Sequence, residues 1–385
     1  MMTWGADARG AAPWTEDQSV EVGLAQRPAD KQGLEPAETP AGSLLPPGDT
    51  RYAMSPFTCL EEYGRAPVLA ALDLGTNNCR LLIARPCREG FRVVDAFSRI
   101  VRLGEGLSRS DTLRDDAMSR TVQALKVCRS KMERRGVNLV RAVGTEACRR
   151  ADNCDAFLDR VQTETGLQIE IISPKEEARL AMTGCSPLLD PTIPNALVFD
   201  IGGGSTEMIW IELIRGRPVV LDQISVPLGV VNLTETYGGD RVCPHDYRRM
   251  MDKVAAGLTD FDRRNGIAAA VKTGRVQMLG ASGTVTTLAG IQMGLSRYDR
   301  SRVDGAWLDR DQARSISETL LGLDYMGRAG QPCVGRDRAD LVVAGCAILD
   351  AIWRQWPVPQ LRIADRGVRE GILFELAAQA RRRRR

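Results

Sequence analysis

The chain has 385 residues, 43% hydrophobic and 26% charged, with a net charge of +3. That profile suits a globular protein with two domains, and the charge is too small to signal nucleic-acid binding. Ten cysteines without a C-x-x-C pair and one histidine, His245, argue against a zinc site and against a secreted disulfide scaffold.

The N-terminus lacks the basic and apolar regions of a signal peptide, and no run approaches 18 apolar residues. A cytoplasmic chain with reduced thiols and no membrane span is expected. Residues 1–65, rich in Pro, Gly and Ala, show no sustained period and read as a disordered extension.

Order is expected from residue 66. VLAALDLG reads as a buried strand ending in Asp-x-Gly, and CRLLIARP and FRVVDAFSRIVRL follow as strands. Asp115–Arg135 has helical apolar spacing at Met118, Val122, Leu125, Cys128 and Met132. LVRAVG reads as a strand, Cys154–Thr165 as a helix, LQIEIIS as a strand, and Ser173 opens a helix. At Ala196 the first pattern returns: ALVFDIGGG, TEMIWIEL and VVLDQISV are strands. Helices are predicted over Tyr247–Asp262, Thr284–Met293, Arg310–Gly322 and Arg338–Arg354. The strand QLRIAD then precedes a last helix from Gly367 to about Ala380.

The repeated Asp-x-Gly strand ends, Asp73 and Asp200, are 127 residues apart. Two such halves facing one another make a cleft with two phosphate-binding turns. In the second turn, Gly202, Gly203 and Gly204 offer consecutive N–H groups to an anion, and Ser205 and Thr206 add hydroxyls. Asp200 and Glu207 would repel phosphate unless a hard cation lay between them, which points to magnesium. Asp73, Gly75, Thr76 and Asn77 form the counterpart turn, and Arg80 either faces the cleft or caps its strand. The turn at Gly280–Thr284 is either a third phosphate turn, through Gly283, or ordinary capping by Ser282 or Thr284.

Arg149, with Arg150 as a surface competitor, could grip a phosphate just past a strand end. Ser173 and Glu176 match a capping box with Pro174 at the first helical position. Glu177, about 100° further round the helix, is left for a general base.

DLGTNNCR, TEACR, SPKEEARLAM, VFDIGGGSTE, LGASGTVTTLAG, RADLVVAGCAIL and RGVREGIL together resemble the exopolyphosphatase/guanosine pentaphosphate phosphohydrolase (Ppx/GppA) family over roughly residues 68 to 380. The resemblance implies an α/β, two-lobed actin-like (duplicated ribonuclease H-like) fold with an interdomain cleft. Lobe I would cover residues 66–185 and lobe II 186–380, followed by a basic tail, 381–385. The implied reaction removes terminal phosphate from polyphosphate or guanosine pentaphosphate with Mg2+.

By the same resemblance Glu177 is the catalytic base and Arg149 the arginine that stabilises the transferred group. Asp200 and Glu207 hold the metal, while Asp73, Gly75, Thr76, Asn77, Gly202, Gly203, Gly204 and Ser205 bind phosphate. Dimers are common among such relatives, so a homodimer is open. This looks like a short member, without the helical domain of long members and its His-Asp motif. The rival readings are a non-catalytic polyphosphate or guanosine-tetraphosphate sensor and an actin-like kinase or ATPase.

Overall fold

The computed structural model describes residues 66–88 and 90–382. The extension expected over residues 1–65 lies outside the described residues, as do the last three arginines.

Two sheets organise the described residues. The first joins β1 (Leu69–Leu74), β2 (Asn78–Cys87), β3 (Gly90–Ile100), β4 (Leu139–Gly144) and β5 (Glu170–Ile171) in the order β3-β2-β1-β4-β5. The second joins β6 (Asn195–Ile201), β7 (Thr206–Ile214), β8 (Arg217–Val226), β9 (Val276–Ala281), β10 (Trp307–Asp309) and β11 (Gln360–Ala364) in the order β10-β11-β9-β6-β7-β8. In each sheet an antiparallel meander of three strands continues through parallel strands. This is the two-lobed actin-like architecture. The duplication extends to single bonds: Gly75 N–H donates to Asn78 C=O at 2.9 Å, and Gly202 N–H to Ser205 C=O at 2.9 Å.

Central β1 is apolar on both faces because helices cover both. Ala70, Leu72 and Leu74 meet Met118, Val122 and Leu125 of the helix Asp115–Arg134, while Leu69 and Ala71 meet Leu180, Ile372 and Leu373 on the other side. Asp115 and Asp116 in the first turn of that helix, and Lys131 and Arg134 in the last, suit its dipole.

The last helix, Val368–Arg382, corrects the division drawn from the sequence. It follows β11 of the second sheet, yet Ile372, Leu373 and Leu376 pack with Leu69, Leu82 and Val143 of the first. The final segment therefore belongs to lobe I. It also absorbs Arg381 and Arg382, which the sequence reading assigned to a tail; the Arg381 guanidinium donates to Cys87 C=O at 2.8 Å.

This terminal helix crosses the helix Pro174–Cys185, which leads from lobe I into lobe II, at backbone contact. A Cβ on Gly184 would lie 2.2 Å from Gly367 O, and one on Gly371 2.1 Å from Leu180 O. Small residues let the two connections between the lobes share one crossing.

Two further expectations are corrected. The predicted strand LQIEIIS shrinks to Glu170–Ile171, a short edge strand paired only with β4. The predicted helix Arg338–Arg354 begins at Val342, because Cys333 and Gly335 take φ of 67° and 70° and the chain reaches Leu341 through turns. No helix among the described residues is long and apolar enough to cross a membrane.

Candidate active site

A cleft of about 520 Å³ lies between the lobes, at the carboxyl ends of β1 and β6. Asp73, Gly75, Thr76, Asn77, Glu177, Asp200, Gly202, Gly203, Gly204, Ser205 and Gly283 all line it, so the structure brings together most of the residues expected from the sequence. Arg149 and Glu207 do not line it; they stand directly behind residues that do.

Both glycine turns are anchored by their carbonyl oxygens. Val101 and Arg102 N–H donate to Asn77 C=O, and Gly104 N–H donates to Thr76 C=O. In the second lobe Val230 N–H donates to Gly202 C=O at 3.0 Å and Val231 N–H to Gly203 C=O at 2.8 Å. Gly203, Gly204 and the nearby Gly229 answer first to protein neighbours. A Cβ on Gly203 would lie 3.0 Å from Thr76 Cβ, one on Gly204 3.0 Å from Glu146 Cγ, and one on Gly229 2.4 Å from the Gly203 carbonyl carbon. Close approach of the two turns across the cleft therefore accounts for part of the glycine run that the sequence reading gave to phosphate alone.

The carboxylates share a buried, mutually repulsive setting. Asp200 stands directly across the β6–β7 ladder from Glu207, as Asp73 stands across β1–β2 from Arg80. The duplicated position thus carries an anion in one lobe and a cation in the other. Burial, then the charge of Glu207, push Asp200 up to about 7. Glu177 is raised well above the usual range, by burial first and then by Glu207, against the pull of Arg149. Burial raises Asp73 and Glu207 as well; Arg80 and Arg369 oppose the first, the hydroxyls of Ser205 and Ser225 the second. Those hydroxyls donate to Glu207 Oε1 at 2.6 and 2.8 Å.

This donor set suits a divalent cation: buried oxygen anions that raise one another's pKa are relieved by positive charge. The buried Asn77 Oδ1, which has no hydrogen-bond partner, is a further oxygen in the same cleft. Among the described residues no three active-site carboxylates bring oxygens within 4.8 Å of one another. A bound ion would therefore draw on one or two of them and complete its shell with phosphate oxygens and water. The cluster that does converge, Cys243, His245 and Asp246, is exposed at a helix start. There Cys243 caps the helix by accepting from Asp246 N–H, and the Asp246 carboxylate takes Arg249.

Arg149 is held differently from the sequence expectation. Nε and Nη2 donate to Glu146 Oε2 at 3.2 and 2.8 Å, and Nη1 donates to Ile172 C=O at 2.9 Å and to Glu177 Oε2 at 2.7 Å. Four of its five N–H groups are spent on the protein. Glu177 keeps Oε1 free of hydrogen bonds among the described residues.

Ser173 caps its helix, accepting from Glu176 N–H at 3.2 Å. The reciprocal half of the expected capping box is absent. Arg179 and Arg141 take the Glu176 carboxylate instead and hold it down to about 2. Ser282 accepts from Val285 N–H at 2.9 Å, so the capping reading of that turn holds while Gly283 still faces the cleft.

Five arginines line the cleft, Arg80, Arg300, Arg338, Arg366 and Arg369, and among them the sequence pointed only to Arg80 as a candidate. The Arg80 guanidinium makes no hydrogen bond among the described residues, Arg338 donates to Thr287 Oγ1 at 3.0 Å, and Arg369 lies in the first turn of the terminal helix. RADLVV and RGVREG, quoted from the sequence, contain the last two.

The family model for Ppx/GppA phosphatases matches residues 82–380, most of the chain. This chain belongs to the Ppx/GppA phosphatase family. Exopolyphosphatase 2 of Mycobacterium tuberculosis is 27% identical over 326 residues, covering 80% of this chain and 98% of the relative. A guanosine-5'-triphosphate,3'-diphosphate pyrophosphatase of Photobacterium profundum is 27% identical over 318 residues, and the match spans 82% of this chain but 60% of that longer protein. The crystal structure of the Aquifex aeolicus Ppx/GppA member resembles this fold with a TM-score of 0.67 at 29% identity, covering 81% of this chain and 98% of that one.

Proposed function

We propose that this Ppx/GppA protein hydrolyses the terminal phosphate of inorganic polyphosphate or of guanosine pentaphosphate by in-line attack of water. The observation that carries the reading is Glu177: a buried carboxylate at the cleft wall with one oxygen fixed by Arg149 and the other free. Burial first, then Glu207, raise its pKa above the ordinary glutamate range, the direction in which a general base is tuned.

Substrate phosphates would lie along the turns at Gly75–Asn77 and Gly202–Ser205 and beside Gly283, facing the guanidinium groups of Arg80, Arg338 and Arg369. A cleft with several cations and anion-binding turns fits a chain of phosphates better than a single one. Asp200 from the cleft wall and Glu207 from behind it would hold Mg2+, which neutralises phosphate charge as the terminal group departs. Glu177 orients the water and accepts its proton; Arg149 keeps Glu177 in place. The terminal P–O bond breaks as the water oxygen bonds to phosphorus, releasing inorganic phosphate and the shortened substrate.

The test is phosphate release in Mg2+ from long-chain polyphosphate and from guanosine pentaphosphate at matched terminal-phosphate concentrations. Release from either supports the reading, and the larger kcat/KM names the preferred substrate. Binding of both without release would make the protein a sensor.

A further inference from the structure

Arg149 stands behind the cleft surface with almost all of its donors spent on Glu146, Ile172 and Glu177. At the opposite connection between the lobes, the segment after β11 runs into the terminal helix. Gly367 there passes so close to Asp200 that a Cβ on it would lie 3.9 Å from Oδ2. Two residues on, the Arg369 side chain lines the same cleft.

The Arg369 guanidinium makes no hydrogen bond among the described residues; its ion pair there, with Glu370, is long at 3.9 Å. The side chain is only 13% exposed. Lining the cleft with donors unspent, this guanidinium is open to an anion that enters there. Burial, with the charges of Arg80 and Arg300, disfavours its charged form against the opposing pull of Glu370 and Asp73.

Its place is built. The buried Glu370 accepts from Gly367 N–H at 2.9 Å through one oxygen and from Arg300 Nη2 at 2.8 Å through the other. Arg300 also donates to Asp365 C=O at 2.5 Å, and Tyr298 Oη donates to the Asp365 carboxylate at 2.6 Å. Lobe II thereby pins the first turn of a helix that packs on lobe I, and Arg369 is fixed at the junction.

We propose that Arg369, braced by Glu370 and Arg300, is the guanidinium that donates to the non-bridging oxygens of the substrate's phosphates, while Arg149 positions Glu177. The proposal rests on the phosphohydrolase reading and adds a binding and catalytic residue to it. The last helix then completes the active site in addition to covering a sheet.

The experiment compares the full chain with Arg369→Met, Arg369→Lys and Arg369→Ala. Its probes are phosphate release from inorganic tripolyphosphate in Mg2+ and calorimetric binding of tripolyphosphate. Loss of a preorganised donor predicts a fall in kcat/KM on the order of 10²–10³ for Arg369→Met, with the melting temperature held or raised. Arg369→Lys should recover part of the loss, and millimolar guanidinium ion should rescue Arg369→Ala, which a purely structural role would not produce.

If Arg369→Met lowers the melting temperature by more than a few degrees, Arg369→Lys and the guanidinium rescue decide. Wild-type kcat/KM in Arg369→Met, or unrescued loss in folded Arg369→Ala, overturns the proposal. If the wild type releases no phosphate from any substrate, the hydrolase reading fails, and binding alone then tests Arg369. Tripolyphosphate bound as tightly by Arg369→Met as by the wild type would overturn its role.

Discussion

Nη1 of Arg149 donates to Oε2 of Glu177 at 2.7 Å, joining the short helix after β4 to the first turn of the helix that leads into lobe II. Both side chains are largely buried, and Glu146 shares the same guanidinium. Removing one partner of such a pair leaves uncompensated charge, at a cost of about 3–5 kcal/mol. Arg149→Met should therefore lower both stability and turnover. The double variant Arg149→Met/Glu177→Gln should be more stable than Arg149→Met alone and no less active than Glu177→Gln alone. Thermal melts and steady-state rates for the cycle check this, and additive losses would mean that the two act separately.

Magnesium should act on stability through Asp200. Asp200→Asn removes one of the buried, mutually repelling carboxylates. The metal-free variant should then melt above the metal-free wild type at pH 8 while losing activity. Mg2+ should raise the wild-type melting temperature, by an amount worth about 2.7 kcal/mol at a hundredfold excess over Kd, and should leave the variant nearly unmoved. Calorimetric melts with magnesium or a chelator read both effects.

Away from the cleft, Tyr247 Oη donates to the Asp350 carboxylate at 2.6 Å, and burial pushes Asp350 up to about 6. A folded pKa above the unfolded value means that the native state binds more protons. Stability from this group is then present below about pH 4 and lost as pH rises through 6. Asp350→Asn keeps an acceptor for Tyr247 without the charge. Its melting temperature relative to wild type should be higher at pH 7 than at pH 4.5; a constant difference would rule out this titration.

The crossing of the two connecting helices allows little relief. In Gly371→Ala the new methyl would meet Leu180 O at 2.1 Å, a backbone atom that yields only if the helices part. Overpacking of this kind costs about 1–3 kcal/mol. Because the helices carry Glu177 and Arg369, KM and kcat should change together, as measured against polyphosphate.

Much of this architecture was legible because duplication leaves a pattern. Asp73-x-Gly75 and Asp200-x-Gly202 announce two equivalent strand ends, and the apolar run before each marks a strand covered on both faces. Glu177 stood out because a capping box was expected to use Glu176; the structure gives the Glu176 carboxylate to Arg141 and Arg179 instead, a different reason that still leaves Glu177 over. What escaped the sequence depends on contacts between distant segments. Arg369 reaches the cleft because the terminal helix returns to lobe I, and no local period encodes that return. Arg149 carried a recognisable motif, but which of its donors are spent is visible only once Ile172 and Glu146 are placed around it. The glycines of the second turn signalled close approach correctly; that Thr76 and Gly229 make the approach was not in their own sequence.

The central claim is that Glu177 activates water in a cleft that binds phosphate without it. Phosphate release and equilibrium binding of polyphosphate, measured side by side for wild type and Glu177→Gln in Mg2+, test it most directly. The account predicts a loss of turnover on the order of 10²–10⁴ with affinity changed little. Wild-type turnover in Glu177→Gln, or equal loss of binding and turnover, would contradict it.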